Sequence, residues 1–311
     1  MPRHALVITG TIGDDAVEAT AALIRSLLQY GPDGIDRLPA ADTLATGRAC
    51  QWRVDVDDNQ APALLTTLRE RIADHLIDVN LVRDDGHRRK RLLLADMDST
   101  IIEQECIDEI AAFAGVGERV AAITERAMRG ELDFEAALSE RVALLQDLPE
   151  TTLARVADER LSITPGAREL VATMRHHGAY CVLVSGGFTF FTGRIARAVG
   201  FDENRANTLE IAEGRLTGHP VAPILGRQAK HDTLLELSEK LNIPSSDTLA
   251  VGDGANDLAM IEAAGLGVAF RAKPLVNRAA DAQVQHGDLT DLLFLQGYRA
   301  DEIVTPTGPQ S

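Results

Sequence analysis

Asp96 and Asp98, two apart in residues 91–100 (RLLLADMDST), are the residues of this chain best placed to do chemistry. Three leucines and an alanine lead into them, which reads as a buried parallel strand opening at its carboxyl end into a site. In an ideal strand the two carboxylates share one face, and like charges that close repel. A cation between them, or a proton kept on one, relieves the repulsion. Taken alone the same letters also fit a polar turn. Later stretches carry the same theme. Residues 180–184 run apolar into Ser185-Gly186-Gly187, where a hydroxyl and close backbone N–H groups can cradle phosphate or simply turn the chain. Lys230 opens a helix over 230–241, where the macrodipole disfavours a cation. A fixed ammonium beside phosphate oxygens would account for it, as would an ordinary surface lysine. Residues 248–251 form another short apolar strand, ending in Gly252-Asp253-Gly254-Ala255-Asn256-Asp257. Sites in parallel α/β sheets lie beyond the carboxyl ends of the strands. The fold would therefore gather Asp96, Asp98, Ser185, Lys230, Asp253 and Asp257. Hard oxygen ligands of this kind suit Mg²⁺.

The elements that must position these stations alternate strand and helix. Residues 101–115 place Ile102, Cys106, Ile110 and Phe113 at helical spacing. Helices follow over about 116–129, 134–145 and 150–157, in sequence rich in Ala, Leu and Glu. Nothing in 101–161 reads as strand, and a helical insertion straight after a site-bearing strand reads as a cap. The α/β pattern resumes with a helix opened by Thr164-Pro165-Gly166 and reaching Gly178, and later with a helix over 258–264 and a strand over 267–270. Ahead of residue 90 the order is β-α-β-β-α-β, the ferredoxin-like arrangement. Its first strand is 5–8; its first helix carries Val17, Ala21, Ile24 and Leu28 and stops at Gly31-Pro32. A short strand over 35–38 precedes one over 49–56, which sets Cys50, Trp52, Val54 and Val56 on one side. A helix from Pro62 bears the stripe Leu64, Leu68, Ile72 and Leu76, and a strand over 77–82 closes the unit. The basic run His87-Arg88-Arg89-Lys90-Arg91 reads as a solvated linker face rather than a nucleic-acid patch.

A length of 311 residues suggests two domains, at roughly 100–200 residues each, divided as 1–89 and 90–311. With 45% hydrophobic and 25% charged residues the composition is that of a soluble globular protein. The net charge of -16 argues against nucleic acid or an anionic membrane as partner, and a phosphorylated ligand would need a local cation cluster or a metal. Cys50, Cys106 and Cys181 are far apart and form no disulfide or metal framework, and Cys181 lies in an apolar run that suits a core position. MPRHALVITG has no signal-peptide pattern and no apolar run could span a bilayer, so a cytoplasmic protein is expected.

Taken in this order, Asp96-Met97-Asp98-Ser99-Thr100, Ser185-Gly186-Gly187, Lys230 and Gly252 through Asp257 resemble the haloacid dehalogenase superfamily over about 90–298. Within it, DMDSTIIEQECIDEIA, AMRGELDFEAALSERVALL, VSGGF and VGDGANDLAMI resemble the phosphoserine phosphatase family. The resemblance implies an α/β fold, a Rossmann-like parallel sheet with a helical cap inserted at about 101–162. It implies Mg²⁺-dependent hydrolysis of O-phospho-L-serine to L-serine and phosphate, the last step of serine biosynthesis. Asp96 would be the nucleophile that forms an aspartyl-phosphate; Asp98 would protonate the leaving oxygen and then activate water. Asp96, the backbone carbonyl of Asp98, and Asp253 would hold Mg²⁺. Ser185, Gly186 and Lys230 would hold phosphate, with Asn256 assisting and Asp257 supporting the metal shell and Lys230. On the cap, Glu105 would meet the substrate ammonium and Arg141 its carboxylate, while Met128 and Phe134 would close over the substrate. The chemistry agrees: Mg²⁺ and Lys230 offset phosphate charge, and a covalent route splits one hard displacement into two. Arg141 suits a carboxylate and Glu105 an ammonium, although without the resemblance both read as helix-surface charges. Phosphothreonine or a sugar phosphate is the rival substrate of the same superfamily. A serine-sensing protein with a spent catalytic domain is the rival of another class, and the intact catalytic positions weigh against it. The first segment resembles the ACT family of small regulatory modules that bind amino acids. The Asp-x-x-Gly turn usual there reads Gly10-Thr11-Ile12-Gly13-Asp14 here, so a module for packing or for a homodimer stands beside an amino-acid site.

Overall fold

The computed structural model describes residues 3–27, 40–129 and 131–306. The first of two sheets is built from β1 (Arg3–Gly10), β2 (Asp42–Ala45), β3 (Ala49–Asp55) and β4 (Ile77–Arg83), with helices α1 (Asp14–Leu27) and α2 (Ala61–Arg71), in the expected β-α-β-β-α-β order. The strands lie in the order β2-β3-β1-β4, every neighbouring pair antiparallel. Leu28, the helix stop at Gly31-Pro32 and the strand expected over 35–38 lie outside the described residues. Cys50, Trp52, Val54 and Val56 do share one side, packing with Leu6, Ile8, Val79 and Leu81 against Leu64, Leu68 and Ile72. Leu76 does not follow that stripe: α2 ends at Arg71, and the Leu76 side chain is 72% exposed.

The second sheet begins with β5 (Leu92–Ala95). The cap helices α3 (Cys106–Phe113), α4 (Gly117–Met128), α5 (Phe134–Ala143) and α6 (Thr151–Arg160) follow it. Then come α7 (Ala167–His176), β6 (Tyr180–Phe188), α8 (Thr189–Val199), β7 (Glu203–Ala212), β8 (Arg215–Val221) and α9 (Arg227–Lys240). The chain closes with β9 (Thr248–Gly252), α10 (Leu258–Ala263), β10 (Leu266–Phe270), α11 (Pro274–Ala279), β11 (Ala282–Val284) and α12 (Asp291–Leu295). Strand order is β11-β10-β9-β5-β6-β7-β8, parallel throughout except for the antiparallel hairpin β7–β8. β5 is buried on both faces, as a central parallel strand requires. Leu93 and Ala95 join the cluster of α7 and α12, while Leu92 and Leu94 join Leu234, Leu237, Met260 and Ile261 of α9 and α10. The chain leaves β5 for β6 on one side and returns to β9 on the other. The switch point, where such sheets bind ligands, therefore falls between the carboxyl ends of β5 and β9.

Several local features depart from the sequence-based expectation. Residues 97–101 form one wide helical turn, and Ile102 bridges to Ile163 before α3 starts, so the continuous helix expected from 101 is absent. Ser99, at φ 56 and ψ 6, takes a left-handed conformation that a right-handed helix cannot continue through. α9 begins at Arg227, which puts Lys230 at the end of its first turn instead of its start. The hairpin β7–β8 is not anticipated by the sequence. Its turn residues Glu213 and Gly214 both have positive φ (51 and 73) but lack the Asn-Gly or Asp-Gly signature. It braces the cap: Asp147 N–H donates to the Leu216 carbonyl, Leu216 N–H to Leu148, and Glu150 N–H to Gly214, each at 2.9 Å.

The basic run is a solvated face only in part: His87, Arg89 and Arg91 are exposed, as expected, and Arg88 and Lys90 are not. Arg88 and Lys90 are each 8% exposed and lie in the joint between the two sheets. Arg88 donates to Asp84 (2.9 Å), to Gln51 (2.7 Å) and to the Leu295 carbonyl (2.9 Å); its planar fork satisfies several acceptors at once. Lys90 Nζ donates to the carbonyls of His87 (2.7 Å) and Ser246 (2.6 Å). At the sheet edges Asn80 imitates a strand residue, donating to the Gln283 carbonyl and accepting from its N–H, both at 2.8 Å. Ala5, Val7, Leu44 and Val82, on the far face of the first sheet, belong to the same apolar cluster as Leu292 and Leu295 of α12. A cavity of about 890 Å³ opens at this joint, and none of the candidate site residues lines it. No helix among the described residues is long and apolar enough to cross a membrane.

Candidate active site

Asp96 follows β5 directly, its N–H continuing the ladder to the Val251 carbonyl at 3.0 Å. Its carboxylate is 4% exposed and accepts from Lys230 Nζ at 2.5 Å. Lys230, 3% exposed, also donates to Asp257 Oδ1 at 2.6 Å. Burial pulls the Lys230 pKa down, but Asp257 and Asp96 outweigh it and hold the ammonium charged. Asp257 turns back onto its own loop, where its Oδ2 accepts from Gly254 N–H at 3.1 Å. This fold-back needs Gly252, since a Cβ there would lie 2.4 Å from the Asp257 carboxyl carbon. Asn256 Nδ2 reaches Asp257 Oδ1 at 3.4 Å.

Oxygens of Asp96, Asp253 and Asp257 lie within 4.8 Å of one another. Lys230 bonds directly to two of these three carboxylates, Asp96 and Asp257, and the excess of negative charge shows in the protonation of Asp96 and Asp253. Burial and then Asp257 raise the Asp96 carboxyl well above the usual range, with Lys230 opposing. Burial and then Asp257 push Asp253 up to about 6. A buried excess of negative charge with hard oxygen donors is the arrangement a divalent cation relieves, so these residues fit such an ion.

Asp98 does not share a strand face with Asp96, because it lies within the wide turn instead of a strand. Its Oδ1 accepts from Cys106 N–H at the start of α3 and its Oδ2 from Ser185 Oγ, both at 2.8 Å. Ser185 Oγ in turn accepts from Gly187 N–H at 2.8 Å. Gly186 faces the cap: a Cβ there would lie 3.0 Å from the Phe134 ring. Glu105 accepts from Ser99 Oγ at 2.6 Å. It keeps contact with solvent in the cleft, yet the protein around it and the nearby Asp98 charge push its carboxyl up to about 7. Arg141 donates Nε to the Ala137 carbonyl one turn back (3.2 Å) and feels the charges of Asp108, Glu105 and Asp98. Burial lowers the Arg141 guanidinium pKa against those three. Met128 ends α4, and its side chain lies outside the described residues.

The four stretches picked out in the sequence thus meet at one switch point, with the cap helices carrying Glu105, Phe134 and Arg141 against it. The haloacid dehalogenase-like hydrolase family profile matches residues 93–262, more than half of the chain. The chain belongs to the haloacid dehalogenase-like hydrolases. Among relatives of this family member, the phosphoserine phosphatase SerB2 of Mycobacterium tuberculosis is 45% identical over 255 residues, covering 81% of this chain and 62% of that protein. A phosphoserine phosphatase of Saccharomyces cerevisiae is 44% identical over 229 residues, 73% of this chain and 74% of that one. Among solved structures of the family, a hydrolase from Salmonella enterica serovar Typhi superposes with a TM-score of 0.82 at 30% identity, covering 94% of this chain and 98% of that one. The chain spans 62% of the mycobacterial protein's length.

Two contributors escaped sequence reasoning. Cys106 acts through its backbone N–H, which no side-chain pattern reveals. Asn207, on the unanticipated hairpin, donates to the Gly186 carbonyl in the Ser185-Gly186-Gly187 loop, and only recognition of β7 could have pointed to it.

Proposed function

We propose that this chain is a phosphoserine phosphatase, hydrolysing O-phospho-L-serine to L-serine and phosphate with Mg²⁺ as cofactor. The reading is carried by one observation: Asp96, Asp253, Asp257 and Lys230 converge at the β5/β9 switch point, beneath a cap bearing both Glu105 and Arg141. The names of the relatives agree with it. Asp96, Asp253 and the Asp98 carbonyl would hold Mg²⁺, with Asp257 supporting Lys230. When bound, Mg²⁺ supplies positive charge against the phosphoryl oxygens.

In this reading an Asp96 carboxylate oxygen attacks phosphorus as the bond to the serine oxygen breaks, giving an aspartyl-phosphate. Asp98 gives its proton to the departing serine oxygen. It then takes a proton from water, whose oxygen attacks phosphorus and releases Asp96 and phosphate. Lys230 fixes the orientation of Asp96 and adds a permanent cation at the phosphoryl group. Ser185 and Gly186 hold the phosphoryl oxygens and Asn256 assists. Glu105 takes the ammonium, Arg141 the carboxylate, and Phe134, with Met128, shuts water out. Residues 1–89 form an ACT-like unit docked onto the catalytic unit 90–311, the cap spanning about 101–162. Three buried free thiols suit a reducing, cytoplasmic setting.

The test is phosphate release from a panel of phosphomonoesters with and without Mg²⁺. Preference for phosphoserine, lost on chelation, supports the proposal. Faster release from a sugar phosphate or from phosphothreonine overturns the substrate assignment.

A further inference from the structure

Asn207 is 1% exposed on β7, beside the phosphate-type loop. β6 and β7 pair regularly from Val182 with Glu203 to Val184 with Arg205, and the next pair is Phe188 with Asn207. β6 advances further than β7 over this interval, so Ser185-Gly186-Gly187 bulges out of the ladder. A bulge leaves backbone groups unpaired, and here a side chain replaces the missing strand. Asn207 Nδ2 donates to the carbonyls of Gly186 (2.9 Å) and Leu225 (3.2 Å), and Oδ1 accepts from Leu225 N–H (2.6 Å). Leu225 immediately precedes Gly226, the cap residue of α9, and α9 sets Lys230. One buried amide thus ties the loop carrying Ser185 and Gly186 to the segment that launches Lys230. The same two segments seat the cap: Cβ atoms at Gly186 and Gly226 would lie 3.0 and 3.7 Å from the Phe134 ring.

We propose that Asn207 is a positioning residue for the phosphoryl group, fixing the distance between the Ser185-Gly186 loop and Lys230 without touching a reacting atom. The inference rests on the phosphatase reading. Removing the amide leaves two carbonyls and one N–H without their buried partner. Both phosphate-handling segments are then free to drift, while Glu105 and Arg141, the amino-acid half of the site, take no hydrogen bond from Asn207 and keep their own partners, Ser99 and the Ala137 carbonyl.

Calorimetric binding of orthovanadate and of L-serine, each with Mg²⁺, tests this on the wild type, Asn207→Ala, Asn207→Asp and Thr192→Val. Thr192→Val removes a different buried hydrogen bond to β7 (Thr192 Oγ1 to Asn204 Oδ1, 2.8 Å) and touches neither loop. Both Asn207 variants should weaken vanadate by about ten- to a hundredfold, the usual cost of losing a group that orients a reactive shell. L-serine binding should stay within about twofold, as for uncoupled sites. Thr192→Val should lose thermal stability alone. Asn207→Asp keeps the shape and the acceptor for Leu225 N–H, so it carries the test if the alanine variant does not fold. Wild-type vanadate affinity in the folded variants, or equal losses for vanadate and L-serine, overturns the proposal. The phosphatase reading fails separately, if the wild type releases no phosphate from phosphoserine; vanadate affinity still judges Asn207.

Discussion

Arg88 and Lys90, at the joint between the two sheets, and the carboxylates at the switch point at β5/β9 treat buried charge in opposite ways. At the joint, Arg88 has Asp84, Gln51 and a carbonyl, and Lys90 has two carbonyls. At the switch point three carboxylates, Asp96, Asp253 and Asp257, cluster about one bonded ammonium, that of Lys230, which reaches only Asp96 and Asp257. A charge satisfied within the fold contributes to holding it together. Carboxylates left in excess cost stability, and a fold retains that cost where a cation and a substrate are to arrive. The comparison separates scaffold from machinery more sharply than burial does, because Arg88, Lys90, Asp96 and Lys230 are all buried.

Breaking the machinery should have the largest effect. Asp96→Asn should cut turnover by about 10⁴-fold or more while the protein stays folded, as for other lost nucleophiles; steady-state kinetics at saturating phosphoserine checks it. Breaking the scaffold should act on stability instead: Arg88→Met should cost about 3 kcal/mol in denaturant unfolding by stranding its partners, with kcat of the folded fraction retained. Arg141→Ala should raise KM for phosphoserine by about thirty- to a hundredfold, the worth of a bidentate charged contact, and barely change KM for a phosphoester lacking a carboxylate. Equal changes for the two esters would remove Arg141 from substrate recognition. Asp253→Asn should raise the melting temperature of the metal-free protein by relieving about 1–2 kcal/mol of buried repulsion, and should abolish the further rise that Mg²⁺ gives the wild type.

The smallest effect sharpens the comparison at the joint itself. Asp291 is fully buried at the start of α12, reached by Arg48 at 3.2 Å, and burial, partly offset by Thr9 and Arg48, pushes its carboxyl up to about 7. A folded pKa above the unfolded value means the folded state binds the extra proton between about pH 4 and 7. Stability contributed by this group is therefore greatest in acid and falls as pH rises toward 7. Asp291→Asn should be more stable than the wild type at pH 8 by on the order of 1 kcal/mol, and the gap should close near pH 5. Melting curves across that range decide it; a gap that widens in acid would contradict the burial argument.

How far the sequence disclosed this structure follows the range of the interactions. β5 and β9 were legible because each is a short apolar run leading directly into Asp, and the later stretches repeat the theme that β5 alone leaves open. The stripe Leu64, Leu68 and Ile72 was legible, and Leu76 was not, because nothing local shows that the helix stops at Arg71. Arg88 and Lys90 read as solvated because, beside the local acceptors Asp84 and His87, the acceptors that bury them lie far away in the chain, at Gln51, Leu295 and Ser246. Asn207 was invisible for the same reason, and also because the polar hairpin that carries it lacks a turn signature. The left-handed Ser99, next to Asp98, is strain held at a site by its surroundings, and composition does not foretell it.

The central claim is that a carboxylate oxygen of Asp96 takes the phosphoryl group. Rapid acid quench of the wild type turning over labelled phosphoserine with Mg²⁺, followed by peptide mapping, addresses it directly. The account predicts label on the peptide containing Asp96, stable to acid and released by hydroxylamine. Steady turnover with no label on that peptide would contradict it.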